Sequence, residues 1–422
     1  MRTDDAAMRP PAGRWVRSAT TTVTDSNGMP VERWIPRPGI PSLPILSMAT
    51  PFGSGPNDYP AITDAGAAAY VTAGRIAIAH ALQLIGLRPG DRVLVPAYHC
   101  PAMVEPVKWM GAEPLFYRLN DDLTINFADV ERRTDNRTRA MLCVHFFGFP
   151  QNPMAARAFC DSHGLVMIED CSHSYFGYAG DRPLGAFGHY AIGSLTKFFP
   201  VREGGCLVAP PDKVEDVKAR LRGQGWTQGA IAVMDAIEDA VDYGRLRGLS
   251  PVVWTMSRAK RAVLGRHFAA RPNNPSQVRS GKLGEFDSSW IDTRMVLPSL
   301  AITWATSRRR LVARRRAHYR RLVQAFAGVS GVRALIPDLP EGAVPYMFPL
   351  WVDDLDRVFP KLEDLAVPMQ RFGQFLSPEI TAETFPTSFA FSHNVIQLAC
   401  HQELTDDEVD SIVALVLQAI AS

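Results

Sequence analysis

Lys197 stands in the run Ser194-Leu195-Thr196-Lys197-Phe198-Phe199-Pro200, followed at once by Val201-Arg202-Glu203-Gly204-Gly205. A lysine between a small polar turn and an aromatic pair is partly desolvated, and desolvation disfavours the ammonium form. An amine that gives up its proton readily can form a Schiff base with an aldehyde. Upstream lies Glu169-Asp170-Cys171-Ser172-His173. A carboxylate such as Asp170 beside a pyridine nitrogen would hold the ring's proton and make the ring an electron sink. The plainer alternatives are a surface lysine and an Asp that caps a helix. His173 could bond or pack on the same ring, although a lone histidine equally suits a structural role.

An anion needs backbone N–H groups. The segment Ala73-Gly74-Arg75-Ile76-Ala77 opens a helical pattern, and a glycine there lets an anion approach the positive end of the helix. Ser194 could add a hydroxyl to the same anion. Tyr98 and His99 are the candidates to stack on a bound ring, and both also fit core positions. Few lysines compete with Lys197. Only seven of the 45 basic side chains are lysine, and of the other six only Lys108 has clearly apolar neighbours.

The elements that must position these residues alternate between helix and strand. Gly74 to Ile85 reads as a helix, Arg92 to Pro96 as a strand, and a helical pattern follows through Met110. Pro114 to Tyr117 and Arg139 to His145 are strand-like, Pro153 to His163 is helical, and Leu165 to Ile168 is a strand ending at Glu169-Asp170. This order predicts a mostly parallel sheet flanked by helices, with ligands at the carboxyl ends of the strands. Residues 1–60, rich in Pro, Gly, Ser and Thr, form an irregular N-terminal arm. Residues 61–325 form a large domain with a helical insertion at about 211–290, and residues 326–422 form a smaller α+β domain. The basic helix from Ser307 to Phe326 reads as a solvated charged face. Thr405 and Glu408 predict a capping box for the last helix.

The chain has 422 residues, 46% hydrophobic and 21% charged, with a formal net charge of +2. That is an ordinary globular composition, with no field that favours nucleic acid or a membrane. No apolar run approaches the roughly 20 residues of a membrane helix. The six cysteines are scattered without metal-ligand spacing, so reduced thiols in a cytoplasmic enzyme are expected, with no metal.

Taken together, these segments resemble the DegT/DnrJ/EryC1/StrS family of sugar aminotransferases. Its phosphate turn is matched at Gly74-Arg75, with arginine for the family's threonine. The strand leading to its ring-stacking residue is matched at Val95-Pro96-Ala97-Tyr98, and its Glu-Asp segment at Glu169 to His173. Its Schiff-base segment is matched at Ser194 to Gly205, and its closing motif at His401-Gln402-Glu403-Leu404-Thr405-Asp406. The resemblance implies an α/β fold of the type I pyridoxal-phosphate transferases and bound pyridoxal 5'-phosphate (PLP). It implies a homodimer and small-molecule substrates, with glutamate as amino donor and a nucleotide-linked keto sugar as acceptor. Two departures stand out. Cys100 occupies the place of the family's stacking aromatic. Asp292-Thr293-Arg294-Met295 replaces an Asn-Tyr-Arg-Met segment that reaches the neighbouring subunit's site, and an Asp there would repel a phosphate. The alternatives are another PLP reaction on the same fold (dehydration, decarboxylation or acyl transfer) and a non-catalytic regulatory relative.

Overall fold

The computed structural model describes residues 38–55, 59–251 and 286–421, with residues 253 and 255 and four short strands between Trp15 and Pro36 in addition. The rest of the expected N-terminal arm, and most of the insertion beyond residue 251, lie outside the described residues.

The first strand of the main sheet is β1 (Ala67–Val71). Helix α1 (Gly74–Ile85) follows, ended by Gly86 in the left-handed region at φ 76°. Strand β2 (Arg92–Pro96), helix α2 (Pro101–Trp109), strand β3 (Glu113–Tyr117) and helix α3 (Phe127–Arg133) come next. Then come β4 (Thr138–Val144), α4 (Pro153–Ser162) and β5 (Val166–Asp170). Strands β6 (Tyr190–Ser194) and β7 (Gly205–Ala209) complete the sheet. The order across it is β1-β7-β6-β5-β4-β2-β3. Strands β6, β5, β4, β2 and β3 run parallel, and β7 runs antiparallel to both its neighbours. The parallel strands read as near-continuous apolar runs because both faces are covered. Val93, Leu94, Val95, Met141, Leu142, Ile168 and Ile192 are fully buried.

Helices α5 (Pro211–Lys218) and α6 (Gly225–Asp242) leave the sheet. After the undescribed stretch come α7 (Leu297–Ala305) and α8 (Arg308–Phe326). A second, antiparallel sheet has the order β8 (Val332–Ala334), β9 (Met347–Val352), β11 (Val395–Ala399), β10 (Met369–Gln370). Helices α9 (Leu355–Asp364), α10 (Pro386–Asn394) and α11 (Asp406–Ala421) accompany it. The capping box precedes α11: Thr405 N–H donates to Glu408 at 2.8 Å, and Glu408 N–H to the Thr405 hydroxyl at 3.2 Å.

Helix α8 departs from the solvated reading. Arg310 pairs with Glu403 at 2.7 Å, and Arg314 donates to Leu404 O at 2.8 Å. Arg316 donates to Pro340 O and Glu341 O, and Arg321 pairs with Asp410. Arg315 is fully buried. The partners are mostly main-chain carbonyls far along the chain, which a count of charges does not reveal.

Candidate active site

Four strand ends meet in one place. Lys197 follows β6 in a single 3-10 turn, Leu195–Lys197. Its amine lies 5.3 Å from the centroid of the Tyr346 ring. Burial pushes the Lys197 ammonium below its ordinary value, and the nearby Cys100 and Asp170 pull partly the other way. The amine therefore parts with its proton more readily than a surface lysine.

Asp170, the last residue of β5, is 2% exposed. Its Oδ1 accepts Ser172 N–H at 2.9 Å, and Oδ2 has no hydrogen bond among the described residues. Beside it Glu169 anchors the strand end. It accepts from His145 Nε2 (3.0 Å), Gly185 N (2.7 Å), Phe187 N (3.0 Å) and Gly188 N (3.0 Å). Burial alone would raise its pKa, but these donors carry it below the usual carboxylate range. His145 Nδ1 accepts Gln151 N–H, so Nε2 carries the proton that goes to Glu169. Both ring nitrogens are thus engaged, and the nearby trio His145, Glu169 and Cys171 reads as a structural network rather than a metal site.

Helix α1 begins without a side-chain cap. Gly74 N–H and Arg75 N–H have no acceptor among the described residues, as expected of a helix start. A methyl group placed on Gly74 would stand 3.4 Å from Ser172 Oγ and 3.5 Å from Ser194 Cβ. Free amides, the positive helix end and two serines thus converge on one spot, the makings of an anion cradle. The Arg75 guanidinium does not join it. It pairs with Glu105 at 2.7 Å, leaving the anion only the Arg75 N–H.

His173 is buried and neutral, since burial holds its pKa well below the ordinary value. Its Nδ1 accepts Phe147 N–H at 3.3 Å, so the proton sits on Nε2. The ring stacks on Tyr346 at 4.8 Å. Tyr98 and His99 point elsewhere. Tyr98 is fully buried against Phe146, Phe372 and Phe391. His99 stacks on Phe116, and its Nε2 accepts Ser377 N–H at 3.2 Å while Nδ1 donates to Ala97 O. Of the three consecutive residues, half-buried Cys100 is the one that Lys197 feels electrostatically. Asp292 is exposed, and its carbonyl accepts Arg222 N–H at 2.7 Å.

Tyr346 and Arg315 receive no site role in the sequence reading, and Gln402 enters it only within the closing motif. Arg315 had a signal: Leu311, Arg315, Tyr319, Leu322 and Phe326 follow helical spacing, so the arginine falls on the apolar stripe. Two clefts, about 290 and 430 Å³, lie instead along the β3 edge around Arg118 and Phe385, and the residues around Lys197 line neither.

The residues that could hold PLP fit it. There is a cradle for a phosphate, a carboxylate oxygen left over for a ring nitrogen, and an amine for an aldehyde. Residues 60–244 match the model of the DegT/DnrJ/EryC1/StrS aminotransferase family. GDP-perosamine synthase of Vibrio cholerae is 28% identical over 233 residues, 52% of this chain and 62% of that one. A dTDP-3-amino-3,4,6-trideoxy-alpha-D-glucose transaminase of Streptomyces venezuelae is 33% identical over 193 residues, 42% of this chain and 50% of that one. The matches thus span less than two thirds of either relative. Among solved structures, the aminotransferase TlmJ from Streptoalloteichus hindustanus aligns with a TM-score of 0.61 at 19% identity, covering 85% of this chain and 88% of that one. 3-Amino-5-hydroxybenzoic acid synthase aligns at 0.60 and 17%, covering 84% and 86%. These likenesses define the fold, that of the fold type I PLP transferases.

Proposed function

We propose that this protein is a PLP-dependent aminotransferase that moves an amino group from an amino acid, glutamate, to a nucleotide-linked keto sugar. The observation that carries it is the partly desolvated Lys197 amine, close to the Asp170 carboxylate and one turn of chain past Ser194, which adjoins the uncapped helix end at Gly74. When bound, PLP supplies an aldehyde that captures amines and a ring that withdraws electrons. Gly74 N–H, Arg75 N–H and the hydroxyls of Ser172 and Ser194 would bind its phosphate. The Asp170 carboxylate would hold the proton on the ring nitrogen, with His173 against the ring. Lys197 Nζ, once free, would take a proton from the substrate carbon and deliver it to the carbon that had carried the aldehyde oxygen, on the far side of the nitrogen. The Tyr346 ring would keep water from that amine. The names of the relatives support the nucleotide-sugar acceptor.

Two further readings belong with this one. Residues 61–325 would form the cofactor-binding domain and 326–422 the smaller domain, in a cytoplasmic protein whose six cysteines are free. The protein would also be a homodimer. Trp226, Leu297 and Trp304 are 96%, 64% and 69% exposed on α6 and α7, which pack together where Gly229 meets Pro298. Apolar exposure of this kind marks an interface.

The test is direct. Purified protein given PLP should turn yellow, and borohydride should fix the cofactor on the Lys197 peptide. A screen of amino donors and keto sugars should then show turnover that Lys197→Ala abolishes. A protein that takes up no PLP, or a Lys197→Ala variant that still completes transamination, would sink the reading.

A further inference from the structure

Arg315 is the largest fully buried side chain among the described residues, yet no carboxylate lies within ion-pair distance of it there. Its guanidinium is satisfied by neutral oxygens instead. Nη2 donates to Lys197 O at 2.9 Å. Nη1 donates to Pro345 O at 3.0 Å and to Tyr346 O at 2.9 Å. Nε donates to Gln402 Oε1 at 2.8 Å, and Gln402 Nε2 in turn donates to Phe198 O at 2.8 Å. The guanidinium carbon lies 4.5 Å from the centroid of the Phe198 ring. Burial lowers the pKa of Arg315 to about 10, so the group stays charged near neutrality.

A buried cation without a counter-charge is costly and is tolerated only when its donors are well satisfied. What distinguishes this one is where its partners lie. Three of its direct or relayed acceptors belong to Lys197, to Phe198 beside it, and to Tyr346, the residue whose ring the Lys197 amine faces. We infer that Arg315 is a positioning residue for Lys197, fixing the main chain that carries the amine and the aromatic face that shields it. A planar fork can hold several carbonyls of separate segments at fixed angles, which a flexible ammonium cannot do. The tie runs between chain segments far apart in sequence: α8, the turn after β6, the lead into β9, and the loop before α11. The charged and titratable groups around the Lys197 amine are Cys100, Asp170, His173 and Tyr346, and none of them is bound by Arg315 through its side chain.

The inference concerns the amine itself, whatever binds there, so it is tested without cofactor. Competitive acetylation with acetic anhydride, read by peptide mass spectrometry across a pH series, gives the titration midpoint of Lys197. Exposed Lys218 serves as the internal reference. In Arg315→Lys, which keeps the charge and loses the fork, the Lys197 midpoint should rise toward the ordinary lysine value by about one pH unit, roughly tenfold in protonation equilibrium. Gln402→Leu cuts only the relay to Phe198 and should shift it less, in the same direction. Millimolar guanidinium added to Arg315→Ala should move the midpoint back. A cooperative thermal transition in each variant establishes that it is folded. Should Arg315→Met shift the midpoint while folded Arg315→Lys leaves it at the wild-type value, charge rather than placement is responsible and the inference falls. It also falls if Arg315→Lys and Gln402→Leu both fold with Lys197 unchanged. If Arg315→Lys does not fold, Gln402→Leu alone decides.

Discussion

Gly205 sits where β7 passes beneath the start of α1, paired with Ser194 on one side and Val71 on the other. A Cβ added there would run into the carbonyl group of Ala73 and stand 2.6 Å from Gly74 N. These are backbone atoms, so no side chain can swing away. Restoring an ordinary 3.4 Å contact requires Gly74 N to retreat by about 0.8 Å. A donor displaced that far leaves hydrogen-bond range, since a bond of about 2.9 Å would stretch to about 3.7 Å. A hydrogen bond to a charged group is worth about 1.5–3 kcal/mol. Gly205→Ala should therefore weaken PLP binding by roughly 10- to 150-fold. Overpacking should also cost about 1–3 kcal/mol of stability. Titration calorimetry with PLP, alongside urea unfolding, measures both. Gly248→Ala, with nothing within 4 Å of the added carbon, is the control. PLP affinity in Gly205→Ala within twofold of wild type would refute the claim that the Gly74 amide forms the cradle.

Lys197→Met should stabilise the cofactor-free protein near pH 7. Because the folded pKa lies below the ordinary 10.5, the unfolded chain holds more protons between the two values. Stability of the wild type therefore rises with pH through that window, and the cost of burying the ammonium is gone above it. The gain in Lys197→Met should be about 1.4 kcal/mol per unit of depression and should shrink as the pH approaches 10.5. Urea titrations near pH 7 and near pH 10 that give equal differences would contradict this. Trp226→Asp should convert a dimer into a monomer in light scattering, and an unchanged mass would remove α6 from the proposed interface.

Much of the site could be read from sequence because each part sits at a strand end in a regular βα order. Asp170 closes β5, Lys197 follows β6, and Gly74 opens the helix that lies over both. Local chemistry was enough to name these three together as a candidate site. It failed at Tyr98 and His99, because whether a residue after β2 faces the site or the core depends on where α2 starts. That helix begins at Pro101, turning Cys100 toward Lys197 and the two rings away. It failed again at α8, where the arginines looked solvated. Their acceptors are main-chain carbonyls between 340 and 346 and at Leu404, the Gln402 amide oxygen and the Glu403 carboxylate, which only tertiary contact supplies.

One of those arginines constrains how the molecule can breathe. Swinging the second sheet away from the first would have to break the bond of Arg315 to Lys197 O together with those of Gln402 to Phe198 O, Tyr346 N–H to Phe147 O and Tyr178 N–H to Gly342 O. Many enzymes with two lobes admit substrate by such a hinge. Here the two sheets are bolted into one body, so traffic to and from Lys197 is left to the loops at its rim.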